Sequence, residues 1–219
     1  MADDPTSRLR DSLAAARGEG EPDARRAADA LRRVAAWLVA APAADRAAAA
    51  ERVADEAERL AASLPGIIGR TRYDGTAAEG RARALARHPV IGAVNPVAPL
   101  VKVEVEGTGC AVEVTYDATF EGPPGCVHGG HIAAAFDVVL GFAAGAAGSP
   151  GLTGSLLVRY LRPTPLHEPL RYEAEIGEQD GKRLTVTGRL LAFEDVVTAE
   201  AEGVFVAQAG FEPGRFLSG

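Results

Sequence analysis

The chain is poor in the residues that build metal and redox sites. Its 219 residues include two cysteines, Cys110 and Cys126, and four histidines. The cysteines form no CxxC pair, which favours two reduced thiols in a cytosolic protein over a disulfide. His128 and His131 lie three residues apart without a third ligand, and the other histidines complete no zinc pattern. The sequence therefore predicts no metal site.

A surplus of positive charge is also missing. The formal net charge is -7 and the pI is near 5.2, whereas binding to nucleic acid needs a cationic face. No run of about 18 apolar residues is free of charge, which argues against a membrane span. The N-terminus has no basic stretch followed by an apolar one, so no signal peptide is predicted. We therefore expect a cytoplasmic protein with neither nucleic acid nor membrane as a partner.

Common nucleotide and hydrolase motifs are absent as well. The chain contains no G-x-S-x-G, which excludes the serine route of the α/β-hydrolases. It contains neither G-x-G-x-x-G nor a P-loop, so nucleotide cofactors held by those loops are not expected. We predict that no cofactor is needed.

The chain does have enough apolar material for a core. Apolar residues make up 47% of it, a level at which disorder throughout is not expected. The length fits one well-buried domain with an additional part. Composition divides the chain into a helical N-terminal extension at 1–65, a glycine-containing connector at 66–96 and a folded domain at 97–219.

Two helices are predicted within the extension. The first follows Pro22 and Asp23, and the second follows Pro42. Each has one narrow apolar stripe, largely of alanine, that must dock on something else to be stable. We interpret the pair as an accessory hairpin, with a partner-binding module as the alternative. The stripe residues are Ala27, Leu31, Val34 and Leu38 in the first helix, and Val53, Ala57, Leu60 and Leu64 in the second.

From residue 97 the apolar residues alternate with polar ones, which is the period of a half-buried strand. Two such strands, around 101–106 and 112–116, flank a turn at 107–109. An apolar run at 132–147, broken only by Asp137, predicts one long helix. Four more strands are predicted at about 152–162, 168–177, 182–193 and 196–207, with a tight turn at Asp180-Gly181. The layout is α+β, with a helix packed on an antiparallel sheet.

Asp137 is the first candidate for chemistry. It lies about two turns into a helix that is apolar on all sides, and such a helix is typical of a protein interior. Burying an unpaired carboxylate costs several kcal/mol unless the group is paired or its pKa rises. We therefore favour a functional role, with a structural ion pair to Arg159 or Arg162 as the alternative.

The start of the same helix, His128-Gly129-Gly130, is the second candidate. The first N–H groups of a helix have no partner within it, and the helix dipole is positive there. Glycines leave these N–H groups unshielded, so they suit a carbonyl oxygen that gains negative charge. The alternative is a tight turn before a helix.

The spacing of these residues resembles a known family. His128-Gly129-Gly130, with Asp137 nine positions after the histidine, is similar to the signature of hotdog acyl-CoA thioesterases of the phenylacetate-pathway type and their human relatives. The resemblance covers residues 95–207 and extends to the loop EGPPGCVH at 121–128 and the segment VRYLRP at 158–163. It implies a six-stranded antiparallel sheet wrapped around the central helix, in a homodimer or a dimer of dimers.

The resemblance also implies roles for individual residues. The thioester carbonyl accepts a hydrogen bond from the N–H of Gly129, between His128 and Gly130. Asp137, reaching in from the partner subunit, acts as nucleophile or as general base on water. A hydroxyl on the following strand places the water, and the matching residue is Thr153, with Ser155 as the second candidate.

Two further features bear on substrate binding. Many relatives carry an asparagine six positions before the motif histidine, where this chain has Gly122. That substitution removes a side-chain amide that would touch the substrate. Basic residues near the expected mouth of the site, Arg159, Arg162, Lys182 and Arg183, suit the phosphates of coenzyme A. A solvated strand face is the alternative for each of them.

The expected activity is therefore hydrolysis of acyl-CoA thioesters to a free acid and CoA. Two alternatives remain: a hotdog hydratase or dehydratase, and a non-catalytic dimer that binds acyl-CoA or a protein partner.

Overall fold

The computed structural model describes residues 4–18, 22–64, 82, 84–107 and 109–207. Within them, the helices α1 (Pro5–Gly18), α2 (Pro22–Ala40) and α3 (Ala43–Ser63) precede the sheet. The first part of the predicted connector, residues 66–81, lies outside the described residues, as do residues 208–219 at the end of the predicted domain.

The N-terminal helices dock on the sheet and its helix in a way that the predicted stripes do not describe. Leu13 of α1 is buried within the main core cluster, and the hydroxyl of Thr6 donates to the carbonyls of Gly107 and Ala146 at 3.1 Å each. Helix α2 docks through the buried Ala28. The predicted apolar face of α2 is instead largely exposed, with Leu31 at 46%, and none of the described side chains of α3 is buried.

Six antiparallel strands form one sheet in the order β1-β2-β4-β5-β6-β3. The predicted strands agree with those observed to within a few residues at each end. Gly181 has a φ of 56° at the predicted tight turn, a conformation that glycine adopts readily. The strands are β1 (Val101–Glu106), β2 (Gly109–Val114), β3 (Gly151–Tyr160), β4 (Leu170–Asp180), β5 (Arg183–Leu191) and β6 (Val197–Ala207).

The central helix α4 (Gly129–Ala146) packs against the sheet and contacts the strands β2 to β6. Half of its residues are buried, including Phe136 and Leu140, which have no exposed surface. By length and composition α4 is the one helix among the described residues that could also cross a membrane. Here the sheet around it accounts for its apolar composition. The predicted hotdog fold, a six-stranded antiparallel sheet around a central helix, is thereby confirmed.

Strand β3 forms one edge of the sheet, and most of its residues are exposed. Its pairing with β6 is shifted between Thr153 and Ser155, so Gly154 forms a β-bulge. Thr153 pairs with the buried Phe205, whereas Ser155 pairs with Val204. Because paired residues point to the same face of a sheet, Thr153 faces α4 and Ser155 faces away.

Candidate functional site

The first turn of α4 leaves one backbone N–H available. His128 is the N-cap, and its Nδ1 accepts a hydrogen bond from the N–H of Gly130 at 3.0 Å. The carbonyl of His128 accepts from the N–H of His131 at 2.9 Å and from that of Ile132 at 3.3 Å. In the part of the chain that the structure describes, the N–H of Gly129 has no hydrogen-bond acceptor. Gly129 is therefore the free donor at the positive end of the helix dipole.

Gly122 packs directly against this N-cap. A Cβ added at Gly122 would lie 2.8 Å from the Cα of His128, closer than real Cβ contacts allow. Two backbone bonds hold the loop in place, from Gly122 N–H to the Cys126 carbonyl and from His128 N–H to the Phe120 carbonyl, each 2.9 Å long. The position where many relatives carry asparagine therefore has no room for any side chain in this backbone arrangement.

Tyr160, at the end of β3, contacts the other side of the helix start. Its hydroxyl donates to the carbonyl of Gly129 at 2.8 Å. A Cβ added at Gly129 would lie 3.1 Å from the Tyr160 ring, so a glycine allows the two to approach closely. Sequence reasoning missed Tyr160, although the residue lies within the segment 158–163 that carried part of the family resemblance. Its position in the sequence, between Arg159 and Arg162, does not indicate that its hydroxyl contacts the start of α4.

Asp137 and Thr153 are hydrogen-bonded to each other. The Thr153 hydroxyl donates to the carboxylate Oδ1 of Asp137 at 2.7 Å. Asp137 is half-buried on the side of α4 that faces β3, and Thr153 is exposed. A short hydrogen bond from a hydroxyl to a carboxylate fixes the orientation of the carboxylate. Its second oxygen is then available to a water molecule or a substrate.

No ion pair holds Asp137 among the described residues. Arg159 pairs across the sheet with Glu200, on the face that points away from α4. Arg162 donates to the carbonyl of Val197 at 3.3 Å. The alternative of a structural ion pair between Asp137 and either arginine is therefore wrong for the single chain.

One chain does not bring Asp137 and Gly129 together. Asp137 follows Gly129 by eight residues in the same helix, which is about 12 Å along the helix axis. A thioester carbonyl bonded to the Gly129 N–H would lie beyond reach of the Asp137 carboxylate of that chain. The two halves of the predicted site are therefore separate within a single chain.

Three of the residues predicted to bind substrate lie away from both Asp137 and Gly129. Ser155 and Arg159 face outward from β3, and Arg183 is exposed next to the buried Leu184 of β5. Gly130 belongs to the helix start, but His128 already accepts a hydrogen bond from its N–H. Their roles in binding coenzyme A stay predictions. For a metal, the described part of the chain offers no group of three ligand side chains.

His131 extends the helix start toward the neighbouring loop. Its ring packs edge-on against Phe120, with ring centroids 5.0 Å apart, and lies 5.9 Å from the ring of His128. Burial lowers the pKa of His131, and the nearby His128 lowers it further. The neutral imidazole is therefore favoured at this position.

Comparison with known proteins gave matches to both sequence and structure. A family model described as the thioesterase superfamily matches residues 124–201. The crystal structure of protein RHA08564, a thioesterase superfamily protein, is 33% identical, with a TM-score of 0.69 over 86% of this chain and 97% of that one. Thioesterase superfamily member 2 of zebra fish is 19% identical, with a TM-score of 0.51 over 57% of this chain and 92% of that chain.

A further match is the PaaI protein from the phenylacetic acid degradation operon of E. coli. It is 16% identical, with a TM-score of 0.48 over 50% of this chain and 80% of that one. The match to RHA08564 differs from the other two in its extent. Coverage of 86% of this chain reaches beyond residues 97–219 and so includes part of the N-terminal helical region.

Proposed function

Because the chain belongs to the thioesterase superfamily, we propose that it hydrolyses acyl-CoA thioesters to a free acid and CoA. The observation that carries this proposal is the hydrogen bond from Thr153 to Asp137. It orients a carboxylate at a partly open position of an otherwise apolar helix. No ion pair neutralises this carboxylate within the described residues.

The chemistry requires a base or nucleophile and a donor for the oxyanion. As a general base, Asp137 takes a proton from water while the water oxygen attacks the carbonyl carbon. The carbonyl oxygen becomes negative and accepts a hydrogen bond from the N–H of Gly129. When the oxyanion collapses, the C–S bond breaks and the departing CoA thiolate takes up a proton. As a nucleophile, the Asp137 carboxylate would attack the carbonyl carbon and expel CoA thiolate, and water would then hydrolyse the resulting acyl anhydride to the free acid and the Asp137 carboxylate.

The separation of Asp137 from Gly129 supports a site shared by two subunits. Since about 12 Å divides them along α4, the Asp137 of one subunit would serve the Gly129 of the other. The edge strand β3 carries Thr153 and Tyr160, and among the strands that the structure describes it has a neighbour on one side only. Such an edge pairs readily with a second copy, and a two-fold axis would create two equal sites. We therefore propose a homodimer or a dimer of dimers.

A CoA-release assay on a panel of acyl-CoAs tests the activity. We expect Asp137→Asn to lower turnover by about a hundredfold, as loss of a general base typically does. The melting temperature should stay within a few degrees of the parent, because asparagine is nearly isosteric. Asp55→Asn, an exposed change on α3, is the matched control and should alter neither quantity.

Each outcome has a distinct meaning. A variant that melts like the parent and keeps its turnover rejects Asp137 as the catalytic group. A parent that binds acyl-CoA and releases no CoA supports the non-catalytic alternative, and water addition without CoA release supports a hydratase. Light scattering that shows only monomer at micromolar concentration contradicts the shared site.

A further inference from the structure

A cavity of about 620 Å³ lies between helix α2 and the loop that leads into the central helix. Its walls are formed by one face of α2, by the segment that precedes β1 and by the loop after β2. Most of the exposed lining is apolar. The lining residues are Asp29, Arg32, Arg33, Ala35, Ala36, Pro96, Val97, Pro99, Leu100, Thr115, Asp117, Thr119, Phe120 and His131.

The α2 wall of this cavity is fixed by Arg32. The guanidinium donates to the carbonyl of Ala98 at 2.8 Å and to that of Asn95 at 2.7 Å, with further bonds to the carbonyls of Gly92 and Ala93 at 3.1 Å. Asp29, one turn earlier in α2, accepts from the same guanidinium at 2.6 Å. An arginine whose donors are used in this way holds the helix at a set distance from the loop. The space between them is therefore part of the architecture.

The cavity lies near the start of α4, which carries the proposed oxyanion donor. His131 lines it and is only two residues after Gly129. Phe120 lines it too, and its carbonyl accepts a hydrogen bond from the N–H of His128. The Phe120 and His131 rings pack edge to face on the wall of the cavity. The lowered pKa of His131 favours a neutral ring, which suits an apolar ligand.

We infer that this cavity is the acyl subsite and takes an apolar acyl group of medium size, with Ala35 and Ala36 of α2 limiting its length. The inference rests on the proposed function. Small-molecule sites typically occupy about 300–1,000 Å³ and are lined mainly by apolar side chains. Because the alanine side chains are small, the space stays open as far as the wall formed by α2, whereas a larger side chain on this face of α2 would fill it. Helix α2, which lies outside the region matched by the family model, thereby limits the length of the acyl group that the site accepts.

The experiment compares three variants of the full-length protein. Ala36→Phe fills the cavity from α2, Leu100→Ala enlarges it, and Ala27→Phe makes the same change as the first at an exposed site on α2. For Ala36→Phe we expect kcat/KM for octanoyl-CoA to fall about tenfold or more, with less than about a twofold change for acetyl-CoA. Leu100→Ala should shift the preference toward longer chains, and Ala27→Phe should behave like the parent. An equal fall for both substrates, or the same result for Ala27→Phe, overturns the inference.

A second measurement separates this inference from the proposed activity. Binding of octanoate is measured by calorimetry on the parent and on the same variants, and melting curves report folding. If the parent cleaves no acyl-CoA, the proposed activity fails. The subsite still stands when Ala36→Phe weakens octanoate binding about tenfold and Ala27→Phe does not. A parent that does not bind octanoate and has no preference for octanoyl-CoA over acetyl-CoA overturns the subsite.

Discussion

Thr153 and Asp137 meet across the boundary between the edge strand and the central helix, with the threonine hydroxyl 2.7 Å from the carboxylate oxygen. Sixteen residues separate them in the chain. The contact depends on the bulge at Gly154, because the bulge places Thr153 on the same face of the sheet as Phe205. The contact thus depends on two features: Asp137 lies on the side of α4 that faces β3, and β3 has a bulge at Gly154.

We expect Thr153→Val to lower kcat about tenfold or more, because valine keeps the shape of threonine but removes the hydroxyl that orients Asp137. Loss of one hydrogen bond to a half-buried carboxylate should also cost about 1–2 kcal/mol of unfolding free energy. Thr153→Ser should restore most of the activity. The measurements are steady-state CoA release and denaturant unfolding at one protein concentration.

Ser155→Ala is the control for Thr153→Val, since Ser155 faces away from α4 and should leave both quantities unchanged. The opposite pattern, with turnover lost in Ser155→Ala and kept in Thr153→Val, would assign the hydroxyl to Ser155.

We expect Gly129→Ala to lower CoA release because the new side chain displaces Tyr160. The added methyl group would lie 3.1 Å from the tyrosine ring, which must then move and lose its 2.8 Å bond to the Gly129 carbonyl. Tyr160→Phe, which keeps the ring, should lower turnover about fivefold, the equivalent of one hydrogen bond. In a double-mutant cycle, Gly129→Ala should add little once Tyr160→Ala has removed the ring. Strictly additive losses in CoA release would show that Tyr160 does not position Gly129.

Gly122→Asn should lower stability without raising activity. Asparagine restores the residue that many relatives carry, but its Cβ would lie 2.8 Å from the Cα of His128. The loop must shift, at a cost of about 1–3 kcal/mol as in other overpacked sites. Gly122→Ala should lower the melting temperature by a similar amount, because the Cβ causes the clash. A Gly122→Asn variant that melts like the parent and releases CoA faster would show that the loop accepts the family's side chain.

Leu13→Ala should destabilise the whole protein by about 2–4 kcal/mol, since it leaves a cavity in the main core. Leu60→Ala, on α3, removes the same atoms from a side chain that is 53% exposed and should change stability by less than about 0.5 kcal/mol. Denaturant unfolding at a fixed protein concentration measures both, since association would otherwise shift the midpoint. Equal effects would mean that α1 is not part of the cooperative unit.

The sheet and its helix were predictable because their periods are simple. Alternation of apolar and polar residues marks strands such as β1, and a run apolar on all sides marks α4. The N-terminal helices were harder to interpret. The apolar stripe on α2 suggested a docking face, yet its leucines stay exposed and α2 is held by Arg32, whose hydrogen bonds to the loop at 92–98 no periodic pattern encodes.

The candidate site was predictable where its residues are neighbours in the chain. His128, Gly129 and Gly130 form a helix start, and Asp137 is the only charge in the same helix. Tyr160 was missed because its contact with Gly129 depends on how β3 crosses the helix. The outward positions of Ser155 and Arg159 were also not predicted. A bulge reverses which residues of a strand point inward, and in the sequence only a glycine marks this bulge.

The bulge at Gly154 has a consequence for how relatives are aligned. Loss of Gly154 alone would restore strict alternation and leave Thr153 paired with Phe205 on the inner face, while the interval between Thr153 and Tyr160 became one residue shorter. A relative with a regular strand must therefore carry its tyrosine one residue nearer to its threonine along the chain. A gap of one residue here keeps the threonine hydroxyl on the inner face, and the interval from Thr153 to Tyr160 transfers only between proteins that share the bulge.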